Sequence, residues 1–120
     1  VAIPMMMRNR QRAMITEAEA GLGTMRTALR AMFAETRAYN VTQAGTALSA
    51  GSAAGEIPGV AAGNLNGRYF DDAAYSITAI SASTYTLTAD GDDSGASEAA
   101  EVAGISITLN QDGAIVRSGL

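Results

Sequence analysis

The densest run of chemically capable side chains is Asp90-Gly91-Asp92-Asp93-Ser94-Gly95-Ala96-Ser97-Glu98-Ala99-Ala100-Glu101. Read as a calcium loop, it puts oxygen side chains at loop positions 1, 3 and 5, glycine at 6, and Glu at 9 and 12, the pattern that a cation needing six to eight oxygens requires. Asp90, Asp92, Ser94, Glu98 and Glu101 are therefore the candidate calcium ligands, with a carbonyl from Ala96. Two features weigh against that reading. Ser97 stands at position 8, where an apolar residue is usual, and the flanking sequence predicts strands where a helix–loop–helix site has helices. An acidic, flexible surface turn is the simpler alternative, because Asp, Gly and Ser favour local hydrogen bonding.

Other chemistry is excluded by inventory. The 120 residues include no His, Cys or Lys. Imidazole catalysis, thiolate nucleophiles, disulfides, Schiff bases and Cys/His metal sites are all ruled out. Asp71-Asp72 reads as a surface turn, not an acid/base pair. Gly21-Leu22-Gly23 falls within a predicted helix with no strand before it, so it is no phosphate loop. The sequence expects no enzyme and no resident cofactor beyond that candidate calcium.

Charge is unevenly distributed behind a formal net of −4. Residues 1–37 carry six Arg against three Glu, whereas the rest carries Arg68 and Arg117 against nine acids. An acidic body with a basic helix is not the footprint of a nucleic-acid binder.

One domain is expected, built from three successive segments. Residues 5–39 read as one helix, inside an N-terminal helical segment that spans residues 1–39. Ile15, Ala18, Leu22, Met25, Leu29 and Met32 recur at three- and four-residue spacing, and Phe33 widens that stripe. Arg12, Glu19, Arg26, Arg30 and Arg37 are assigned to the opposite face. Gly21 and Gly23 each cost a helix roughly 1 kcal/mol against Ala, so they mark close packing or a flexible point. Residues 40–67 are rich in Gly, Ala, Ser and Thr and read as a long loop, tacked down by Val41, Leu48, Ile57, Val60 and Leu65. In 68–120, Tyr75/Ile77/Ala79, Tyr85/Leu87/Ala89 and Ile105/Ile107/Leu109 alternate with Ser and Thr, which predicts strands with one buried face. Ile115-Val116 closes the set. Ser81-Ala82-Ser83 and Asn110-Gln111-Asp112-Gly113 supply the turns. The pattern predicts an α+β fold: a long N-terminal helix packed on a four-stranded antiparallel sheet.

Several segments resemble bacterial type IV pilins and pseudopilins. Glu17-Ala18, Leu22-Gly23, Thr27-Ala28, Phe33-Ala34-Glu35 and Tyr39 follow the "EA…LG…TA…A…FAE…Y" course of that family's first helix. Val1-Ala2-Ile3-Pro4 resembles the "IAIP" that ends its hydrophobic segment. Gly67-Arg68-Tyr69-Phe70 with Tyr75-Ser76-Ile77-Thr78 resembles the start of its sheet, and Ile105 to Gly113 its closing hairpin. The 40–66 and 90–104 stretches have no counterpart. The family's processing site, assembly glutamate and C-terminal cysteine pair are also not among these residues, so the C-terminal loop must be held another way.

The resemblance implies a filament subunit, anchored in the inner membrane before assembly and then part of an extracellular or periplasmic polymer of identical subunits. It implies roughly 18–20 mostly apolar residues ahead of Val1, the length of a membrane-spanning helix. The assembly helix would comprise Pro4, where a regular hydrogen bond is lost, the adaptable Met5, Met6 and Met7, and Arg8, Arg10 and Arg12, which would pair with acids on neighbours. The competing reading is a secreted calcium- or surface-binding module that never polymerises.

Overall fold

A computed structural model describes residues 2–61 and 63–119, with residues 2–10 as backbone alone. Helix α1 (Ala2–Thr36) is followed by an irregular segment and four strands: β1 (Tyr75–Ile80), β2 (Tyr85–Asp90), β3 (Ser106–Asn110) and β4 (Ile115–Ser118). The strands form an antiparallel sheet in the order β1-β2-β3-β4. The expected α+β architecture is therefore present. At about 1.5 Å per residue the helix measures about 52 Å, which accounts for the molecule's 54 Å long dimension.

Local chemistry fixes the element ends. Arg37 adopts the left-handed conformation (φ 63°), and its N–H donates to the Phe33 carbonyl (2.7 Å), closing the helix. The chain then leaves at Thr36, three residues earlier than the periodicity predicts. This turns Tyr39 back onto Phe33 (centroids 4.5 Å apart) and edge-on to Tyr85 (4.9 Å). Phe33 is thus half-buried under an aromatic lid, and the helix–sheet core lies elsewhere.

That core is built from Met14, Ala18, Leu22, Met25, Leu29 and Met32 on the helix, against Tyr75, Ile77, Tyr85, Leu87, Ile107 and Leu109 on the sheet. The stripe begins one residue earlier than expected. Met14 is buried (4% exposed), whereas Ile15 is only partly buried at its margin. A helix advances about 100° per residue, so Met14 stays in phase with Ala18 and Leu22, and Ile15 turns to the flank. The β1 alternation also fails at its end. A bulge between Ile77 and Ala79 shifts the register, pairing Ala79 with Thr86 and Ile80 with Tyr85. One extra residue reverses the facing of all that follow it. Ile80 therefore packs on the core while Ala79 is exposed.

The 40–67 segment is irregular yet anchored. Leu48, Ile57, Val60 and Leu65 are buried, Val41 partly so. Residues 51–53 pair along β1: Gly51 N–H donates to the Ile77 carbonyl (2.7 Å) and Ile77 N–H to the Ser52 carbonyl (2.9 Å). That covers one sheet edge. β4 is the other edge, and all four of its residues are exposed.

Candidate assembly surface

The helix's outer face departs most from expectation. Ala13, Thr16, Ala20, Thr24, Thr27, Ala31 and Ala34 are all exposed, and at about 100° per residue they share one stripe about 180° from the buried one. The stripe carries no charge and no long side chain. Thr24 donates its hydroxyl to the Ala20 carbonyl (3.0 Å) and Thr27 donates to the Gly23 carbonyl (2.9 Å), so each satisfies its polar group within the helix. The charged residues expected on this face lie to its side. Arg12 and Arg30 are exposed, Glu19 and Arg26 half-buried, and Arg37 follows the helix end. Pro58 and Gly59 form a wall beside the stripe, leaving an open groove of about 580 Å³ over Ala20, Gly23, Thr24, Thr27 and Ala31. Threonine and alanine at three- and four-residue spacing were the available sequence signal. Reading polarity alone hid it, since threonine counts as polar.

Of the expected assembly residues, Pro4, Met5, Met6, Met7, Arg8 and Arg10 lie on the helical backbone, with their side chains outside the described residues. Gln11, Arg12 and Ala13 are exposed, and Met14 is the first side chain buried in the body among the described residues. Among those residues, no helix is long and apolar enough to cross a membrane.

Three carboxylates of the 90–101 loop are engaged by backbone N–H groups or by an arginine. Asp90 accepts from Asp92 N–H (3.0 Å), and Asp92 accepts from Gly104 N–H (2.9 Å). Ser94 donates its hydroxyl to the Tyr69 carbonyl (2.8 Å). Glu98 forms a two-pronged pair with Arg68 (2.5 and 2.9 Å), raising the guanidinium's pKa through that bond and its charge. Among the described residues, no three acidic groups are placed to hold a metal. The loop is instead stitched to the chain before it, for Asp71 accepts from Gly95 N–H (3.0 Å) and Glu98 N–H donates to the Arg68 carbonyl (3.0 Å). These bonds hold the 90–104 segment without cysteine.

The helix itself carries a further anchor. The half-buried Glu17 carboxylate accepts from Tyr69 N–H (2.9 Å) and Phe70 N–H (2.9 Å), where the chain enters the sheet. Tyr75 donates its hydroxyl to the Glu17 carbonyl (3.3 Å), and burial pushes that phenol well above its ordinary pKa. Asp72 similarly binds Gly63 N–H (2.5 Å) and Leu65 N–H (3.1 Å). No spacing rule flags these long-range caps. Comparison with protein-family models, with characterised proteins and with solved structures finds no match for this chain.

Proposed function

We propose that this chain is a structural subunit of a type IV pilus or secretion pseudopilus, polymerising through its N-terminal helix and held in the inner membrane before assembly. The observation that carries the reading is the exposed, uncharged face of small residues running from Ala13 to Ala34. A solvated helix ordinarily presents charged residues there. Small residues let two helix backbones approach closely, which favours helix–helix packing. The helix also continues ahead of Met14, its first buried side chain among the described residues, in the segment carrying the methionine run and three arginines. A head-to-tail contact between identical subunits generates an open helical polymer. The chemistry argues the same way, since a chain without His, Cys or Lys offers little for catalysis.

Electron microscopy of the intact gene product tests the proposal. Filaments are expected from the wild type. Thr24→Arg, which puts a charged side chain on the small-residue face, is expected to abolish them while leaving the monomer's thermal unfolding unchanged. Dispersed monomers from the wild type, with no polymer and no lipid attachment, would overturn the reading.

A further inference from the structure

A cavity of about 200 Å³ opens between α1 and residues 64–67, lined among others by Glu17, Gly21, Thr24, Asn64, Asn66 and Tyr75. It shares Ala20 and Thr24 with the groove over the small-residue stripe, so the two are continuous. Its one charged lining group is the half-buried Glu17 carboxylate. Oε1 accepts from the Tyr69 and Phe70 amides, and Oε2 accepts only a longer bond from Tyr69 N–H (3.2 Å). A carboxylate offers about four accepting positions, so Oε2 keeps one for a further donor. Among the described residues no cation pairs with Glu17. Arg68, next in sequence to those amides, is held by Glu98.

Unpaired positive charge lies on the other flank of the same stripe. Arg12 and Arg30 are exposed, and neither makes an ion pair or hydrogen bond among the described residues. At about 100° per residue, both project about 80° to one side of the stripe's centre and Glu17 about 60° to the other. When parallel copies gather with their stripes facing a common axis, the acidic flank of each meets the basic flank of the next. Such a head-to-tail contact repeats along a polymer. Register selects between the two arginines. The stripe from Ala13 to Ala34 is about 32 Å long. Setting Arg12 opposite a neighbour's Glu17 shifts the helices by about 7.5 Å and leaves about 24 Å of stripe in contact. Arg30 needs a shift of about 20 Å and leaves about 12 Å. Arg12 therefore keeps more of both stripes buried, and its flat guanidinium suits a carboxylate.

We propose that the cavity beside Glu17 receives Arg12 of a second copy of this chain, forming an ion pair that sets the displacement between neighbouring helices. This contact rests on the filament reading and specifies its register. The test leaves Glu17 and its amide bonds in place. Arg12→Glu reverses the charge of the incoming side chain. Asn64→Arg sets a guanidinium at the cavity, where it competes for Glu17. Polymerisation of the intact gene product is followed by ultracentrifugation and electron microscopy, with monomer melting as the folding control. Each single variant is expected to raise the critical concentration about tenfold or more, because like charges face each other across the contact in one and Glu17 is taken in the other. The double variant restores opposite charges and is expected to return it to within about threefold of wild type. Three results would overturn the contact and leave the filament reading standing: wild-type critical concentration in Arg12→Glu, a double variant no better than the singles, or rescue by Asn64→Arg of Arg30→Glu instead. Absence of polymer from the wild type would overturn both.

Discussion

The ring of Tyr75 lies directly over Gly21: a methyl at position 21 would fall 2.6 Å from Cε1 and closer still to Cζ and the hydroxyl oxygen. The helix passes the sheet at van der Waals distance there because residue 21 has no side chain. Gly23, two residues on, has nothing within 4 Å of its would-be Cβ. The two glycines therefore make opposite predictions. Gly23→Ala is expected to stabilise the isolated domain by about 1 kcal/mol through helix propensity alone. Gly21→Ala receives the same propensity gain but overpacks a buried ring, and is expected to destabilise by about 1–3 kcal/mol. Urea denaturation of both variants checks the pair.

The phase of the stripe yields a second comparison. Met14 is buried against the sheet side, while Ile15 sits at the edge of the core. Met14→Ala is expected to cost about 2–4 kcal/mol, and Ile15→Ala distinctly less. Thermal melts that reverse this order would place the helix one residue out of phase. Leu29, fully buried, serves as the reference. Leu29→Asp buries an unpaired charge and is expected to unfold the domain.

Much of this fold was legible because its strong signals are periodic. Leu22, Met25, Leu29 and Met32 repeat at helical spacing, and Leu87/Ala89 and Ile107/Leu109 alternate as half-buried strands do. The misses have local causes. The Thr78 bulge exchanges Ala79 for Ile80, and periodicity has no term for an inserted residue. Arg37 ends the helix in a left-handed turn more typical of glycine or asparagine. The acidic loop shows a different point, namely what residue spacing leaves out. Asp90, Asp92, Ser94, Glu98 and Glu101 have calcium-loop spacing. In three dimensions Asp90 and Asp92 cap backbone N–H groups, and Glu98 pairs with Arg68. Spacing constrains what one segment can wrap around, and it is silent on partners 12 to 30 residues away.

Glu17 gives the third prediction. Its carboxylate joins the helix to the Tyr69 and Phe70 amides across more than fifty residues. Hydrogen bonds to a charged acceptor contribute about 1.5–3 kcal/mol, and losing this one also strands two N–H groups. Glu17→Ala is expected to destabilise by about 2–3 kcal/mol, with Glu17→Gln less costly because it keeps one acceptor oxygen. Amide exchange at Tyr69 and Phe70 should accelerate in Glu17→Ala. Unchanged exchange there would mean that the clamp does not form in solution.

The fourth prediction is alkaline instability. Burial raises the phenols of both Tyr75 and Tyr85 above the ordinary tyrosine value of about 10. For a group whose pKa is higher in the folded state, the unfolded chain loses its proton first. Stability is then fully present below about pH 10 and falls as pH rises through the folded-state values. Chemical denaturation at stepped pH should show a midpoint that is flat with respect to these two groups up to about pH 10 and declines above it. Tyr75→Phe removes one of the two late titrations along with its bond to the Glu17 carbonyl. Its stability should therefore start lower and fall less steeply with pH. A wild-type decline no steeper than that of Tyr75→Phe would show that water reaches the Tyr75 hydroxyl, and that the ring over Gly21 is not sealed.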